Sequence, residues 1–329
     1  MKTSALETLV CPSDKQSLVL VDEKLLESEI ESGKLKCTQC NKEYPIQHGV
    51  PNFTNENNYT DNFGFQWNTF SQTQLDSHTG IPISKDRFFQ VTDWPSDCSN
   101  LIGIEVGSGA GRFTEIAAST GIELFTLDAS TAIYANKKNN GSKFKNINFI
   151  RADLRSLPFK DHAFDKALCL GVIQHTPNPK NSFQLISKLI KLKNSSFAFD
   201  VYSKTWETYF WSKYWLRPIT KRMPQKTLFS LIQMLTPFMI FVHDCMRFIP
   251  FVGRKMAYLL VPVCNYKYSF PLNKKQNKEW AILDTFDMLS PEFDIPCSID
   301  EINTWVNELK PNHKNIQFGP NGVIANIGY

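Results

Sequence analysis

Between residues 99 and 202 the chain repeats one pattern, a short apolar run followed by a helical stretch, and few folds accommodate it. Residues 101–106 (Leu-Ile-Gly-Ile-Glu-Val) are an apolar run ending in glycines, and a helix from Arg112 to about Thr120 follows directly. Residues 123–127 read as a second strand ending at Asp128, and residues 147–150 as a third ending near Asp153. Residues 164–170 and 196–202 read as the fourth and fifth, with helices expected after Ser130 and over 183–192. Apolar strands joined by helices through short loops predict a parallel sheet covered on both faces. In such open sheets, ligands bind outside the carboxyl ends of the strands. Glu105, the glycine loop, Asp128, Asp153 and the turn from Gly171 to His175 all fall at those ends.

The rest of the chain divides by texture. Residues 1–54 read as a small module of short strands and turns around cysteines, and residues 55–98 as a polar, aromatic linker or N-terminal cap. Residues 203–298 read as a helical insertion rich in aromatics, and residues 299–329 as a short αββ tail that completes the α/β core of 99–202. The net charge of +4 is mild and the basic residues read as scattered, so no nucleic-acid partner is expected. The eight cysteines read as free thiols of a reducing compartment rather than a disulfide framework. The N-terminus lacks the apolar core of a signal peptide, and no stretch approaches the roughly 20 uncharged apolar residues of a bilayer span. A cytoplasmic location is the expectation. Within the apolar stretch 228–263 the charges at His243, Asp244, Arg247, Arg254 and Lys255 argue against a span. They leave open an interfacial helix and peripheral membrane contact.

Gly107, Gly109 and Gly111 form G-x-G-x-G between a strand and a helix. Glycine lets the backbone turn tightly and lets a ligand approach closely, and the helix N-terminus favours an anionic group. The dinucleotide fingerprint places its third glycine one position later, where this chain has Arg112. Asp128 ends the second strand, where a carboxylate can accept ribose hydroxyls; capping of the next helix by Asp128 or Ser130 is the plainer alternative. Asp153 could accept an adenine amino hydrogen while the N–H of Leu154 meets a ring nitrogen, or it could be an ordinary turn residue.

As a whole this run resembles the class I S-adenosylmethionine-dependent methyltransferases. The resemblance is carried by Ile104-Glu-Val-Gly-Ser-Gly-Ala-Gly-Arg-Phe113, Thr126-Leu-Asp-Ala-Ser130, Ala152-Asp-Leu-Arg-Ser-Leu-Pro-Phe159, Phe164-Asp-Lys-Ala-Leu168 and Leu170-Gly-Val-Ile-Gln-His-Thr-Pro-Asn-Pro179. It extends over nearly the whole chain of a bacterial subfamily, through Phe63-Gly-Phe-Gln-Trp67, Gln74–Gly80, Arg87-Phe88 and Trp280–Pro291. One departure is Lys193-Asn-Ser-Ser196, where the family usually has Pro-Gly-Gly. The resemblance implies a doubly wound, seven-stranded α/β sheet with S-adenosylmethionine held by Glu105, Gly107, Ser108, Gly109, Gly111, Arg112, Asp128, Ala129, Asp153, Leu154 and Gly171. It also implies a small-molecule or glycan-type acceptor, such as a hydroxyl of a sugar nucleotide or lipopolysaccharide precursor. An RNA or protein methyltransferase, or a non-catalytic scaffold of the same fold, are the alternatives.

His175 follows the fourth strand, where the methyl group is expected to be transferred. An imidazole suits a general base for a hydroxyl nucleophile, although a histidine that merely orders the turn is equally consistent. Gln174, Tyr202 and Arg87 are further substrate-site candidates, while surface ion pairs would explain Arg87 and Arg112 as well. The aromatics between Trp206 and Trp215 either pack the insertion on the sheet or close over the substrate. At the N-terminus, Cys11-Pro-Ser-Asp14 and Cys37-Thr-Gln-Cys40 have the spacing of two metal knuckles, with Asp14 in the place of a fourth thiolate. The segment resembles the small zinc-ribbon methyltransferase activators, so Cys11, Asp14, Cys37 and Cys40 are the expected zinc ligands and a metal-free ribbon the alternative.

Overall fold

Strand side chains alternate between two buried faces, and this alternation builds two cores on one sheet. The computed structural model describes residues 1–26, 29–54, 60–319 and 321–329, so the start of the expected cap, residues 55–59, lies outside the described residues. The chain opens with strands β1 (Leu18–Leu26), β2 (Glu29–Cys37), β3 (Glu43–Gln47) and β4 (Val50–Pro51), antiparallel and in that order. Helices α1 (Asp61–Thr69), α2 (Asp76–Thr79) and α3 (Ile83–Thr92) follow. Then come β5 (Ile102–Val106), α4 (Arg112–Ser119), β6 (Glu123–Asp128), α5 (Ala132–Asn140), β7 (Ile147–Arg151), β8 (Lys166–Cys169), α6 (Pro179–Ser187) and β9 (Ser196–Val201). The insertion is α7 (Ser212–Thr220), α8 (Gln225–Arg247), α9 (Gly253–Leu260) and α10 (Lys274–Leu289), and α11 (Ile299–Leu309), β10 (His313–Gly319) and β11 (Gly322–Gly328) end the chain.

The large sheet runs β10-β11-β9-β8-β5-β6-β7, with β5 to β9 parallel; β11 is antiparallel to both of its neighbours, β9 and β10, so it alone runs against the rest. This is the expected doubly wound, seven-stranded sheet. Its order reverses between β5 and β8, which opens a crevice at their carboxyl ends. Neighbouring residues point to opposite faces because a strand has a period of two. Phe125, Ala167 and Phe199 pack with Phe183 of α6 and Trp305 of α11, whereas Leu124, Leu168 and Ala198 meet Phe88 of α3, Ile116 of α4 and Ile133 of α5. Phe125, Phe159 and Phe164 interlock edge to face at 5.3–5.9 Å, an arrangement that adds about 0.5–1.5 kcal/mol per pair to the burial itself.

The N-terminal module belongs to the first of these cores. Leu9, Leu35 and Phe53 pack with Leu154 and Phe159. Asn52 bridges Arg151 in parallel, and the Phe53 N–H donates to the Arg151 carbonyl at 2.8 Å. The module thereby covers the open edge at β7, which would otherwise expose unpaired backbone groups.

The described part of the cap region is helical: α1 and α3 each lay aromatics inward although neither shows a strong apolar period. Two expectations are corrected. The helix expected over 183–192 starts at Pro179, since Asn178 caps it by accepting the Asn181 N–H at 3.0 Å and proline suits the first turn. Finally, α8 spans 23 residues with a mean hydropathy of 1.4 in its most apolar window, so by length and composition one helix does reach membrane-crossing size. The charges at His243, Asp244 and Arg247 fall at its end and leave residues 227–242 uncharged.

Candidate cofactor and acceptor site

The glycine loop is tied down from β6. The N–H groups of Gly107 and Ser108 both donate to the Leu127 carbonyl, at 2.8 and 3.0 Å. Asp128 holds the next turn: one carboxylate oxygen accepts the Gly109 N–H at 2.9 Å, and the other accepts the Ser130 N–H at 2.8 Å and its hydroxyl at 2.6 Å. A carboxylate offers about four lone-pair positions, so one is left for a ligand hydroxyl. Burial pushes the Asp128 carboxyl above its ordinary value. Gly109 has φ +53°, and a Cβ there would lie 3.1 Å from the Trp67 indole, so α1 rests directly on the loop. Glu105 supports the loop from beneath: its carboxylate accepts the Thr126 hydroxyl at 2.8 Å and also that of Thr114, and burial raises it to about 7. The buried Ser108 hydroxyl has no hydrogen-bond partner among the described residues. The Ala129 carbonyl accepts Arg151 Nε at 3.3 Å.

The other expected residues are more firmly occupied. Asp153 caps a 3-10 turn by accepting the Arg155 N–H at 2.8 Å, and it pairs with that residue's guanidinium at 2.6–3.1 Å. An adenine amino group would share the carboxylate with Arg155, beside the buried Leu154. Among the described residues neither Arg87 nor Arg112 forms a surface ion pair. Arg87 pairs with the buried Asp200. Arg112 donates to Ser84 Oγ at 3.0 Å and to Gln74 Oε1 at 2.7 Å and lies over Phe113, and burial together with nearby Arg87 pulls it down to about 10. Both arginines therefore fasten the cap helices to the core. Asp200 also accepts the Gly171 N–H at 2.5 Å. Gly171 itself has φ +74°, and a Cβ there would meet nothing within 4 Å, so the end of β8 faces open space. Asp200 was missing from the expected site; its signal was a lone carboxylate in the apolar run Phe197-Ala-Phe-Asp-Val201.

His175 lies in a 3-10 turn after β8 and is 4% exposed. Its Nδ1 is 3.0 Å from the Phe293 carbonyl. A carbonyl only accepts, so Nδ1 carries the proton and the lone pair sits on Nε2. Nε2 is buried and has no partner among the described residues, and the same holds for both polar atoms of the fully buried Gln174 amide. Phe63 of α1 and Tyr202 each meet the imidazole at 5.4 Å between ring centroids. The loop after α10 completes the turn: the Ile295 N–H donates to the Gln174 carbonyl at 2.9 Å and the Cys297 N–H to that of Tyr202 at 2.8 Å. Next to it, Asp294 accepts from Lys213 Nζ at 3.0 Å and from the Tyr214 hydroxyl at 3.1 Å. Burial would raise Asp294, but Lys213 and Arg217 outweigh it and hold the carboxyl below its ordinary value. On α10, Asp284 and Asp287 face inward one turn apart. Asp284 accepts from the Tyr266 hydroxyl at 2.5 Å and from Gln74 at 2.9 Å, and burial lifts it to about 6, while Asp287 accepts from Gln66 at 3.2 Å. These three aspartates were not anticipated, because only the packing of α10 and its following loop brings Asp287 to the Tyr202 hydroxyl at 3.5 Å, Asp284 to Tyr266 and Asp294 to Lys213.

Residues 104–194 match the methyltransferase domain family, and residues 2–49 match the Trm112p-like protein family. Residues 104–194 of the chain carry a methyltransferase domain. This domain is similar to two ubiquinone biosynthesis O-methyltransferases. The mitochondrial one of Dictyostelium discoideum is 30% identical over 118 residues, 32% of this chain and 36% of that protein. The one of Coxiella burnetii is 26% identical over 110 residues, 33% of this chain and 47% of that protein. The chain thus spans less than half the length of these curated relatives. Among solved structures, a protein of Methanococcus maripaludis described as an S-adenosyl-L-methionine-dependent methyltransferase aligns over 84% of this chain and 95% of its own, with 12% identity and a TM-score of 0.44.

The residues of the methyltransferase domain fit its cofactor on their own geometry: an open backbone cradle at Gly171, an orphaned Ser108 hydroxyl and a spare acceptor position on Asp128. In the Trm112p-like segment the four expected ligands converge, their donor atoms all lying within 4.8 Å of one another. Cys11 and Cys40 sulfurs are 3.7 Å apart, and Cys37 Sγ is 3.4 Å from each Asp14 oxygen. Tetrahedral zinc, with bonds of about 2.3 Å to sulfur and 2.0–2.2 Å to oxygen, demands edges of about 3.8 and 3.5 Å. The Gln39 and Cys40 N–H groups point at Cys37 Sγ, both at 3.4 Å, as the donors of a thiolate knuckle do. These four residues could hold zinc.

Proposed function

We propose that the protein transfers a methyl group to a hydroxyl of a small-molecule acceptor enclosed between the sheet and α10. When bound, S-adenosylmethionine would supply an electrophilic methyl group, the carbon–sulfur bond breaking as the acceptor oxygen bonds to the methyl carbon and S-adenosylhomocysteine leaving. Asp128, Ser108 and the Gly107–Gly111 backbone bind and orient the cofactor. His175 takes the acceptor proton on Nε2 while its Nδ1–H keeps donating to the Phe293 carbonyl. The Gln174 amide, with a free donor and a free acceptor, aligns the hydroxyl. Phe63, Trp67 and Tyr202 exclude water, which strengthens each of these interactions. The observation that carries the reading is the pair of buried, unpartnered groups on consecutive residues, Gln174 and His175.

The relatives named as O-methyltransferases support oxygen as the atom methylated. A sugar-nucleotide or lipopolysaccharide precursor rests on the resemblance alone; neither the relatives nor the site supports a glycan. Calorimetry with S-adenosylmethionine, followed by mass spectrometry of hydroxylated acceptors after incubation with labelled cofactor, tests the proposal. Absence of cofactor binding by the wild type would overturn it.

A further inference from the structure

The insertion shows water an apolar face that the fold does not use. Helix α8 buries Leu228, Ile232, Thr236 and His243 at helical spacing, with Leu228 and Ile232 packed on Phe286 and Leu289 of α10. Its opposite side carries Leu231, Met234, Phe238 and Phe241, which are 37%, 68%, 64% and 64% exposed. A helix apolar all round is stable when both sides are covered, and only 22% of this window is buried within the fold. The turn into α9 extends the face with Phe248 and Phe251, 83% and 106% exposed.

Charge accompanies the apolar surface. Residues 203–273 hold ten Lys and Arg against two Asp and Glu, a net +8 in a chain whose total is +4, so the remainder is −4. The basic residues are therefore concentrated rather than scattered. Lys221, Arg222 and Lys226 are exposed at one end of α8, and Arg254 and Lys255 at the other. A second copy of the chain is a poor occupant, because a two-fold interface would bring +8 against +8.

We infer that α8 and the α8–α9 turn bind the surface of an anionic lipid bilayer, with the phenylalanines at the acyl boundary and the basic residues on lipid phosphates. Packing against α10 holds α8 along the flank of the domain, so the helix lies in the interface rather than crossing it. The inference goes beyond methyl transfer and does not depend on it.

The test is flotation of the full chain with vesicles of phosphatidylcholine alone or with about 30 mol% phosphatidylglycerol. The protein should float with the anionic vesicles, with at least about a tenfold loss on neutral vesicles or in high salt. Phe248→Glu combined with Phe251→Glu should abolish flotation while thermal melting and calorimetric S-adenosylmethionine binding stay as in the wild type. Lys221→Ala with Arg222→Ala should weaken binding to anionic vesicles. A wild type that stays at the bottom of the gradient, or a double-Glu variant that floats equally well, overturns the inference. So does concentration-dependent dimerisation in sedimentation velocity that the Glu variant removes, which would assign the face to a second copy.

Discussion

Replacing His175 by Asn separates a base from a histidine that only orders its turn. An Asn amide can place an N–H near the position of Nδ1 and keep the 3.0 Å bond to the Phe293 carbonyl, but it offers nothing at Nε2. The structural cost is the loss of ring packing against Phe63 and Tyr202, about 1–2 kcal/mol for a few buried atoms. Unfolding entropy near 2.1 cal/mol/K per residue gives ~0.7 kcal/mol/K for 329 residues, so Tm should fall by only about 1.5–3 °C. Loss of a positioned general base costs about 100- to 10,000-fold in kcat. The assay pairs calorimetric affinity for S-adenosylmethionine, expected unchanged, with single-turnover methylation of a hydroxyl acceptor, expected to collapse. Turnover within about threefold of wild type, with only that small fall in Tm, would refute the base and leave His175 a structural residue.

Asp128→Asn must turn its amide N–H₂ toward the Gly109 N–H if it keeps both Ser130 bonds, which orphans a donor inside the glycine loop. Calorimetry should show cofactor affinity lowered about tenfold or more; wild-type affinity would remove Asp128 from the site. Elemental analysis of the purified protein should find about one zinc per chain, with Cys37→Ala abolishing it and lowering Tm. A metal-free protein with an unchanged melt would identify the module as a hydrogen-bonded ribbon. Glu105 is raised to about 7 by burial, so its contribution to stability is present below its unfolded value near 4.5 and is lost as pH rises through about 7. The Tm of wild type relative to Glu105→Gln should therefore fall between pH 5 and 8, by the equivalent of at most about 3 kcal/mol, and a difference that rises with pH would contradict the assignment.

Sequence alone determined the sheet, because continuous apolar strands joined by helices must be buried on both faces and local periodicity records that. It also singled out the glycine loop, Asp128 and the four candidate zinc ligands, whose spacing along the chain is itself the signal. Only the tertiary structure decided what Arg87 and Arg112 do, since their partners Asp200, Ser84 and Gln74 lie 28 to 113 residues away. The tautomer of His175 was likewise invisible, because the Phe293 carbonyl that sets it arrives 118 residues later on the loop after α10. The exposed face of α8 carries the same lesson: composition shows an apolar helix, but which of its sides is already covered depends on the packing of α10, and the uncovered side is what calls for a partner.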